Sequence, residues 1–77
     1  MISVRQVKAA RALLGWSQRD LSKASGVSEP TIARLEAIDG QIGGREETAA
    51  KIRKALEASG IEFTNGRSPG VKLRTRR

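Results

Sequence analysis

Apolar side chains recur three and four residues apart through the first 58 residues, which is the spacing of one face of an α-helix. The pattern predicts four helices, over residues 4–14, 18–24, 29–37 and 46–58. Glycines at positions 15, 26 and 60 favour helix termination, because glycine readily adopts the left-handed conformation found after a helix. The side chains expected to face the core are Val7, Ala10, Leu14, Leu21, Val27, Ile32, Leu35, Ala49, Ile52 and Leu56.

A serine precedes each of the first three predicted helices. Ser3, Ser17 and Ser28 each follow an apolar residue and stand before another apolar residue four positions later, the pattern of an N-cap with a hydrophobic staple. Gln6 adds a capping-box partner for Ser3. Three such starts in one short chain predict well-defined helix boundaries.

The periodicity changes after Gly60. Two short segments, 61–63 and 71–73, alternate apolar and charged residues, and turn formers such as Asn65-Gly66 lie between them. These segments are candidates for a pair of β-strands. We therefore predict an all-α domain over residues 1–60, followed by a basic tail over residues 61–77 that is extended or forms β structure.

Charge is concentrated in that tail. The 77 residues contain 15 Lys+Arg and 8 Asp+Glu, a formal net charge of +7, and residues 67–77 hold five of the basic residues and no acid. Such a balance indicates a polyanionic partner, although a solvated terminus is the plainer interpretation of the tail alone.

Cysteine and histidine are absent, which excludes disulfides, thiol nucleophiles and imidazole bases and leaves few candidate metal ligands. We therefore expect no enzyme activity, no cofactor and no metal. The one adjacent acid pair, Glu46-Glu47, is explained by the electrostatics of a helix start. Apolar runs are too short for a bilayer span, so we expect a soluble, cytoplasmic protein without membrane association.

Residues 17–36 have the spacing of a helix-turn-helix, with small or apolar residues where two short helices cross and Gly26 at the turn. This segment, SQRDLSKASGVSEPTIARLE, resembles the XRE family, the lambda-repressor and Cro class of DNA-binding domain, and the resemblance extends over about residues 4–56. It implies a lambda-repressor-like bundle of four helices and a sequence-specific transcriptional regulator, in particular a repressor. The helix that begins near Glu29 would enter the major groove of double-stranded DNA.

The resemblance also implies a role for each matched residue. Base contacts fall to Glu29, Pro30 and Arg34, of which Arg34 is the strongest candidate because its guanidinium can bond guanine O6 and N7 together. Glu29 departs from the glutamine expected in the family, and an ion pair between Glu29 and Arg34 is an alternative. The resemblance assigns contacts to the DNA backbone to Ser17, Gln18, Ser28, Thr31 and Arg45. It also implies a structural salt bridge between Arg11 and Glu36.

One such domain contacts only half of a two-fold operator, so we predict a homodimer formed through residues 61–73. A different class of function stays open, an antitoxin that binds a toxin through its C-terminal segment and represses its own promoter.

Overall fold

Four helices and one antiparallel hairpin make up residues 2–74, the part of the chain that the computed structural model describes. The elements are α1 (Val4–Leu14), α2 (Gln18–Ser25), α3 (Glu29–Glu36), α4 (Glu46–Ala58), β1 (Ile61–Thr64) and β2 (Gly70–Leu73). The expectation of an all-α domain was too narrow, because the hairpin contributes to the core. Residues 75–77 of the predicted basic tail lie outside the described part. No helix within residues 2–74 is long and apolar enough to cross a membrane.

Local hydrogen bonds set the starts of the first three helices. The hydroxyls of Ser3, Ser17 and Ser28 accept from the backbone N–H of the residue three positions later in each case. Gly15 and Gly26 end α1 and α2 with φ of 69° and 78°, the left-handed region that favours glycine. The helix boundaries therefore lie within one residue of the predicted ones.

The core contains at least one apolar side chain from each helix, from the segment before α1, from the α2–α3 and α3–α4 connections, and from β1. Val7, Ala10, Leu21 and Leu56 are fully buried. Leu14, Leu35 and Ala49 were expected in the core but are only half-buried. Leu14 is the last residue of α1, and Leu35 borders an open groove beside the α3–α4 connection, so solvent reaches both.

The α3–α4 connection is attached to the start of α1. Ser3 and Gln41 form an isolated antiparallel bridge, and the Val4 N–H donates to the Gly40 carbonyl at 2.8 Å. The exposed pair Arg5 and Asp39 adds two hydrogen bonds, of which the shorter is 2.8 Å. This connection was predicted only as a loop; its first half is held against the chain's N-terminal segment.

The hairpin presents one face to the helices and one to solvent. Opposite pairs are Ile61 with Leu73, Glu62 with Lys72 and Phe63 with Val71. Ile61 is 3% exposed and belongs to the core, and the Arg53 guanidinium of α4 lies 5.8 Å from the centroid of the Phe63 ring. The two predicted strands therefore pair and share the core of the helices, while a domain boundary at residue 60 stays a prediction.

The register also decides which backbone groups of the hairpin point outward. The Arg74 N–H donates to the Gly60 carbonyl at 2.8 Å, so residues 60 and 74 stand at a hydrogen-bonding position of the ladder. Hydrogen-bonded and non-hydrogen-bonded pairs alternate along an antiparallel ladder. The outward-pointing backbone groups consequently belong to Ile61, Phe63, Val71 and Leu73.

Gln6 connects the start of α1 to the hairpin and is 6% exposed. Its Oε1 accepts from the Ser3 N–H at 2.9 Å, which completes the capping box. Its Nε2 donates to the carbonyls of Thr64 at 2.8 Å and Gly70 at 3.0 Å. One buried amide thus caps a helix and holds the turn end of the hairpin.

We expect Gln6→Glu to destabilise the fold by about 1–3 kcal/mol at neutral pH, because a carboxylate cannot donate to the two carbonyl oxygens and is repelled by them. The capping acceptor is kept, so the loss reports on the hairpin contacts. Urea denaturation measures the free energy of unfolding, with Gln41→Glu as the control because Gln41 is exposed. Equal stabilities of the two variants would contradict the assigned role.

Candidate nucleic-acid interface

Helices α2 and α3 pack through three buried residues, Leu21, Val27 and Ile32, with Gly26 at the turn between them. The first turn of α3 faces away from this contact, and Ser28, Glu29 and Pro30 are exposed. The arrangement presents the N-terminal end of α3 to a partner.

A buried carboxylate joins the first three helices. Glu36, whose side chain is 3% exposed, ends α3 and accepts two hydrogen bonds from the Arg11 guanidinium of α1, at 2.6 and 2.9 Å. Arg11 also donates to the Trp16 carbonyl at 3.0 Å. From α2, the Gln18 Nε2 donates to Glu36 Oε1 at 3.0 Å. Trp16 itself is partly buried against the core.

The hydrogen bonds to Glu36 determine its protonation. Burial would raise the pKa of this carboxyl, but the hydrogen bonds from Arg11 and Gln18 and the charge of Arg11 outweigh that effect and lower it. A carboxyl with a lower pKa in the folded state stabilises the fold above its unfolded pKa, and the stabilisation is lost as the pH falls through the folded value. The junction therefore weakens in acid and is fully formed at neutral pH.

Ser17 and Gln18 lie together at the start of α2. The Ser17 hydroxyl accepts from the Asp20 N–H, and the Ser17 N–H donates to Asp20 Oδ2 at 2.9 Å, which lowers the pKa of Asp20. The hydroxyl proton of Ser17 is not used in this cap. One of the two N–H groups of the Gln18 amide is likewise left over after the bond to Glu36, so both residues keep a donor.

Ser28 and Thr31 form a small polar pair at the start of α3. The Ser28 hydroxyl accepts from the Thr31 N–H at 3.3 Å and donates to Thr31 Oγ1 at 2.8 Å. Ser28 therefore has a capping role in the free protein, and its hydroxyl would have to turn to donate to a phosphate.

Glu29, Pro30 and Arg34 are all exposed. Within residues 2–74, no nitrogen–oxygen distance of 4.0 Å or less joins Arg34 to Glu29 or to another acid. The alternative in which these two side chains pair with each other is thus not the arrangement seen here.

A groove of about 520 Å³ runs between α3, the end of the α3–α4 connection and the start of α4. It brings Arg45 together with Thr31 and Arg34 of α3. Gly44 has φ of +75°, and a Cβ there would come within 3.2 Å of Leu35, so this glycine lets the connection approach α3 closely. Arg45 stands at the N-cap position of α4 without a capping bond.

Ile38 and Gln41 are among the residues of this groove that were not singled out from the sequence. Ile38 is 71% exposed just after α3, and Gln41 lies where the connection meets Ser3. A large apolar residue after a helical stretch is ordinarily counted as core, so no sequence signal marked Ile38 as accessible.

Residues 7–39 match the family model described as Helix-turn-helix, a span that begins within α1 and ends just after α3. The matching model is that of the XRE-family helix-turn-helix. Members of that family are DNA-binding transcription regulators and are generally not enzymes. None of the curated proteins matches the chain. Helix α4 and the hairpin lie outside the part of the chain that the helix-turn-helix match covers.

We expect Arg11→Ala to destabilise the protein by about 3–5 kcal/mol, because it leaves the buried Glu36 carboxylate without its cationic partner. Arg34→Ala, the matched control on an exposed surface, should change stability by no more than about 0.5 kcal/mol. Thermal melts of both variants measure the difference. If the melting temperature of Arg11→Ala equals that of the unaltered chain, the ion pair does not stabilise the fold.

Proposed function

We propose that the protein is a sequence-specific regulator of transcription, acting as a repressor, that binds double-stranded DNA as a homodimer. The observation that carries the proposal is the exposed N-terminal end of α3 within a helix-turn-helix that Glu36, Arg11 and Gln18 hold together. In this class of domain the corresponding helix lies in the major groove with its N-terminal residues at the base edges. A lambda-repressor-like arrangement of the four helices is part of the same proposal.

Base recognition is assigned to Glu29, Pro30 and Arg34. Arg34 has an unpaired guanidinium among the described residues, suited to bidentate bonding to guanine O6 and N7. Glu29 is an acceptor only, which suits the N4 amino group of cytosine. Pro30 offers apolar contact alone.

Contacts to the DNA backbone are assigned to Ser17, Gln18, Ser28, Thr31 and Arg45. Ser17 and Gln18 keep free donors at the N-terminal end of α2, where the helix dipole also favours a phosphate. Arg45 shares its groove with Thr31 and Arg34 of α3. This position supports a contact from Arg45 to the DNA backbone next to α3. These contacts position the domain without reading sequence.

The homodimer is assigned to residues 61–73, and β1 is the more suitable strand for the two-fold interface. A groove of about 320 Å³ is lined in part by residues of β1, and the outward backbone groups of Ile61 and Phe63 have no hydrogen-bond partner within residues 2–74. Two antiparallel copies of β2 would instead bring Lys72 opposite Lys72 or Arg74 of the other copy when the two-fold axis passes at Lys72 or at Leu73. The two reading helices would then lie about 34–36 Å apart, in successive major grooves.

The antitoxin alternative keeps the same DNA-binding half and gives the C-terminal segment a toxin as its partner. The outward-pointing backbone groups of the hairpin favour it, because they offer a protein-binding edge separate from α3. A small toxin-like reading frame beside the gene, whose product forms a complex with this chain, would support the alternative.

We expect Arg34→Ala to weaken binding to the preferred duplex by about 1–3 kcal/mol and to relax discrimination at one base pair. Gln18→Ala should weaken all duplexes alike and lower the slope of log affinity against log salt by about 0.9 for each lost phosphate contact. Selection from a random duplex library, followed by titrations at several salt concentrations, measures both effects. If every duplex binds with the same affinity in the presence of competitor DNA, the proposal of a sequence-specific regulator is wrong.

Glu29→Gln tests the assignment of a single base. An amide both donates and accepts, as adenine N7 and N6 require, so the preferred base at that position should change from cytosine toward adenine. Library selection with the variant measures the preference. An unaltered preferred sequence would mean that Glu29 reads no base.

We expect Phe63→Pro to convert the dimer to a monomer, because proline removes the outward N–H of β1. Phe63→Ala keeps that N–H and serves as the control for the lost side chain. Sedimentation equilibrium measures the oligomeric state of both variants, and a dimer that survives Phe63→Pro places the interface elsewhere.

A further inference from the structure

The second edge of the hairpin has unused hydrogen-bonding groups. We call the outward-pointing N–H and C=O groups of Val71 and Leu73 the β2 edge. Among residues 2–74, no hydrogen bond from another element reaches these groups. A strand edge whose backbone groups have no hydrogen-bond partner is a template on which a further strand can pair.

The residues of β1, which already pairs with β2, indicate which side chains suit a strand next to β2. Along β1, an apolar, an acidic and an apolar residue stand opposite Leu73, Lys72 and Val71 in turn. Val71 and Leu73 are half-buried and pack against the core, so apolar side chains on the same face of an added strand would lie beside them. The Lys72 side chain would lie beside the residue that stands between the two apolar residues of the added strand.

The charge of Lys72 is available to a new neighbour. Glu62, its opposite residue in β1, makes its ion pair with Arg74 at 3.4 Å, and within the described residues no acid lies within 4.0 Å of the Lys72 amine. No acidic residue follows Glu62 in the sequence, whereas Arg67, Lys72 and Arg74 lie on or beside β2. Cross-strand neighbours of opposite charge stabilise a sheet, and like charges destabilise it.

We propose that the β2 edge binds an extended segment of a partner protein in which an acidic residue stands between two apolar residues. The segment would add a third strand, with its carboxylate beside Lys72 and its apolar side chains beside Val71 and Leu73. A second copy of β2 is the wrong occupant, because β2 has no acidic residue to place beside Lys72. A second copy of β1 has the right pattern but produces a head-to-tail contact rather than a two-fold one.

A synthetic peptide tests this recognition directly. The probe is a fluorescent peptide with the sequence of residues 59–65, Ser-Gly-Ile-Glu-Phe-Thr-Asn, and its partner is the same peptide carrying Glu62→Lys. In anisotropy titrations with the full chain, we expect the acidic peptide to bind about tenfold more tightly than the lysine peptide, since attraction at Lys72 is replaced by repulsion. Equal binding of both peptides, or binding of neither, overturns the proposal.

A charge exchange within the hairpin supplies the matched variant. The double variant Glu62→Lys with Lys72→Glu keeps an oppositely charged pair between the strands, and thermal melting shows whether it is folded. It should prefer the lysine peptide; an unchanged preference for the acidic peptide contradicts the proposal.

A separate variant tests the backbone hydrogen bonds between β2 and the peptide. Val71→Pro removes an outward N–H of β2 while leaving the hydrogen-bonded pairs of the hairpin, and it should weaken binding of the acidic peptide at least tenfold. A peptide of glutamates alone, without apolar residues, should bind no better than the lysine peptide. If it binds as well as the acidic probe, the edge is only a basic surface and the proposal fails.

This inference does not depend on the proposed DNA-binding function. Duplex binding by Val71→Pro separates the two, because Val71 makes none of the assigned DNA contacts and lies in β2 rather than at the β1 edge assigned to the dimer. If the unaltered chain binds duplex DNA but shows no preference for the acidic peptide, the β2 edge proposal alone is overturned.

Discussion

The Glu36 carboxylate is the group on which the arrangement of the first three helices depends. A charge with only 3% of its side chain exposed requires a counter-charge and hydrogen bonds, because burial without them costs several kcal/mol. Arg11 supplies both from α1, and Gln18 adds a further donor from α2. Glu36 is the last residue of α3. The hydrogen bonds to its two carboxylate oxygens therefore help to fix the orientation of α3 against α1 and α2.

Gln18 has two parts in this arrangement. It braces α3 through Glu36, and it keeps one N–H at the start of α2 for a phosphate. Tight DNA backbone contact and correct placement of α3 are therefore coupled through a single amide in the proposed function. Arg34 stands outside this network, with an exposed side chain, which leaves it able to adapt to a base edge.

Gln6 is a second buried polar side chain that needs hydrogen-bond partners, and it finds them partly in the hairpin. All of its polar atoms are hydrogen-bonded, one to the helix cap and the other to two carbonyls at the turn end of the sheet. The hairpin is thereby held on α1, while no other described residue bonds to the outward groups of either strand. In the proposed functions, the DNA surface on α2 and α3 is therefore separate from the strand edges suited to a protein partner.

Sequence alone determined the features that depend on neighbours a few residues away. Helix starts were predictable because each serine bonds to an N–H three residues later, and the strand pair because apolar and charged residues alternate about a turn. The Arg11–Glu36 pair came only from the family resemblance, and the assigned DNA contacts stay predictions. Tertiary structure decided the rest: the reach of Gln6 to Thr64 and Gly70, the bond from Gln18 to Glu36, the attachment of the α3–α4 connection to α1, and the direction of each strand edge. Those contacts join residues far apart in the chain, and their partners exist only once the apolar faces have packed.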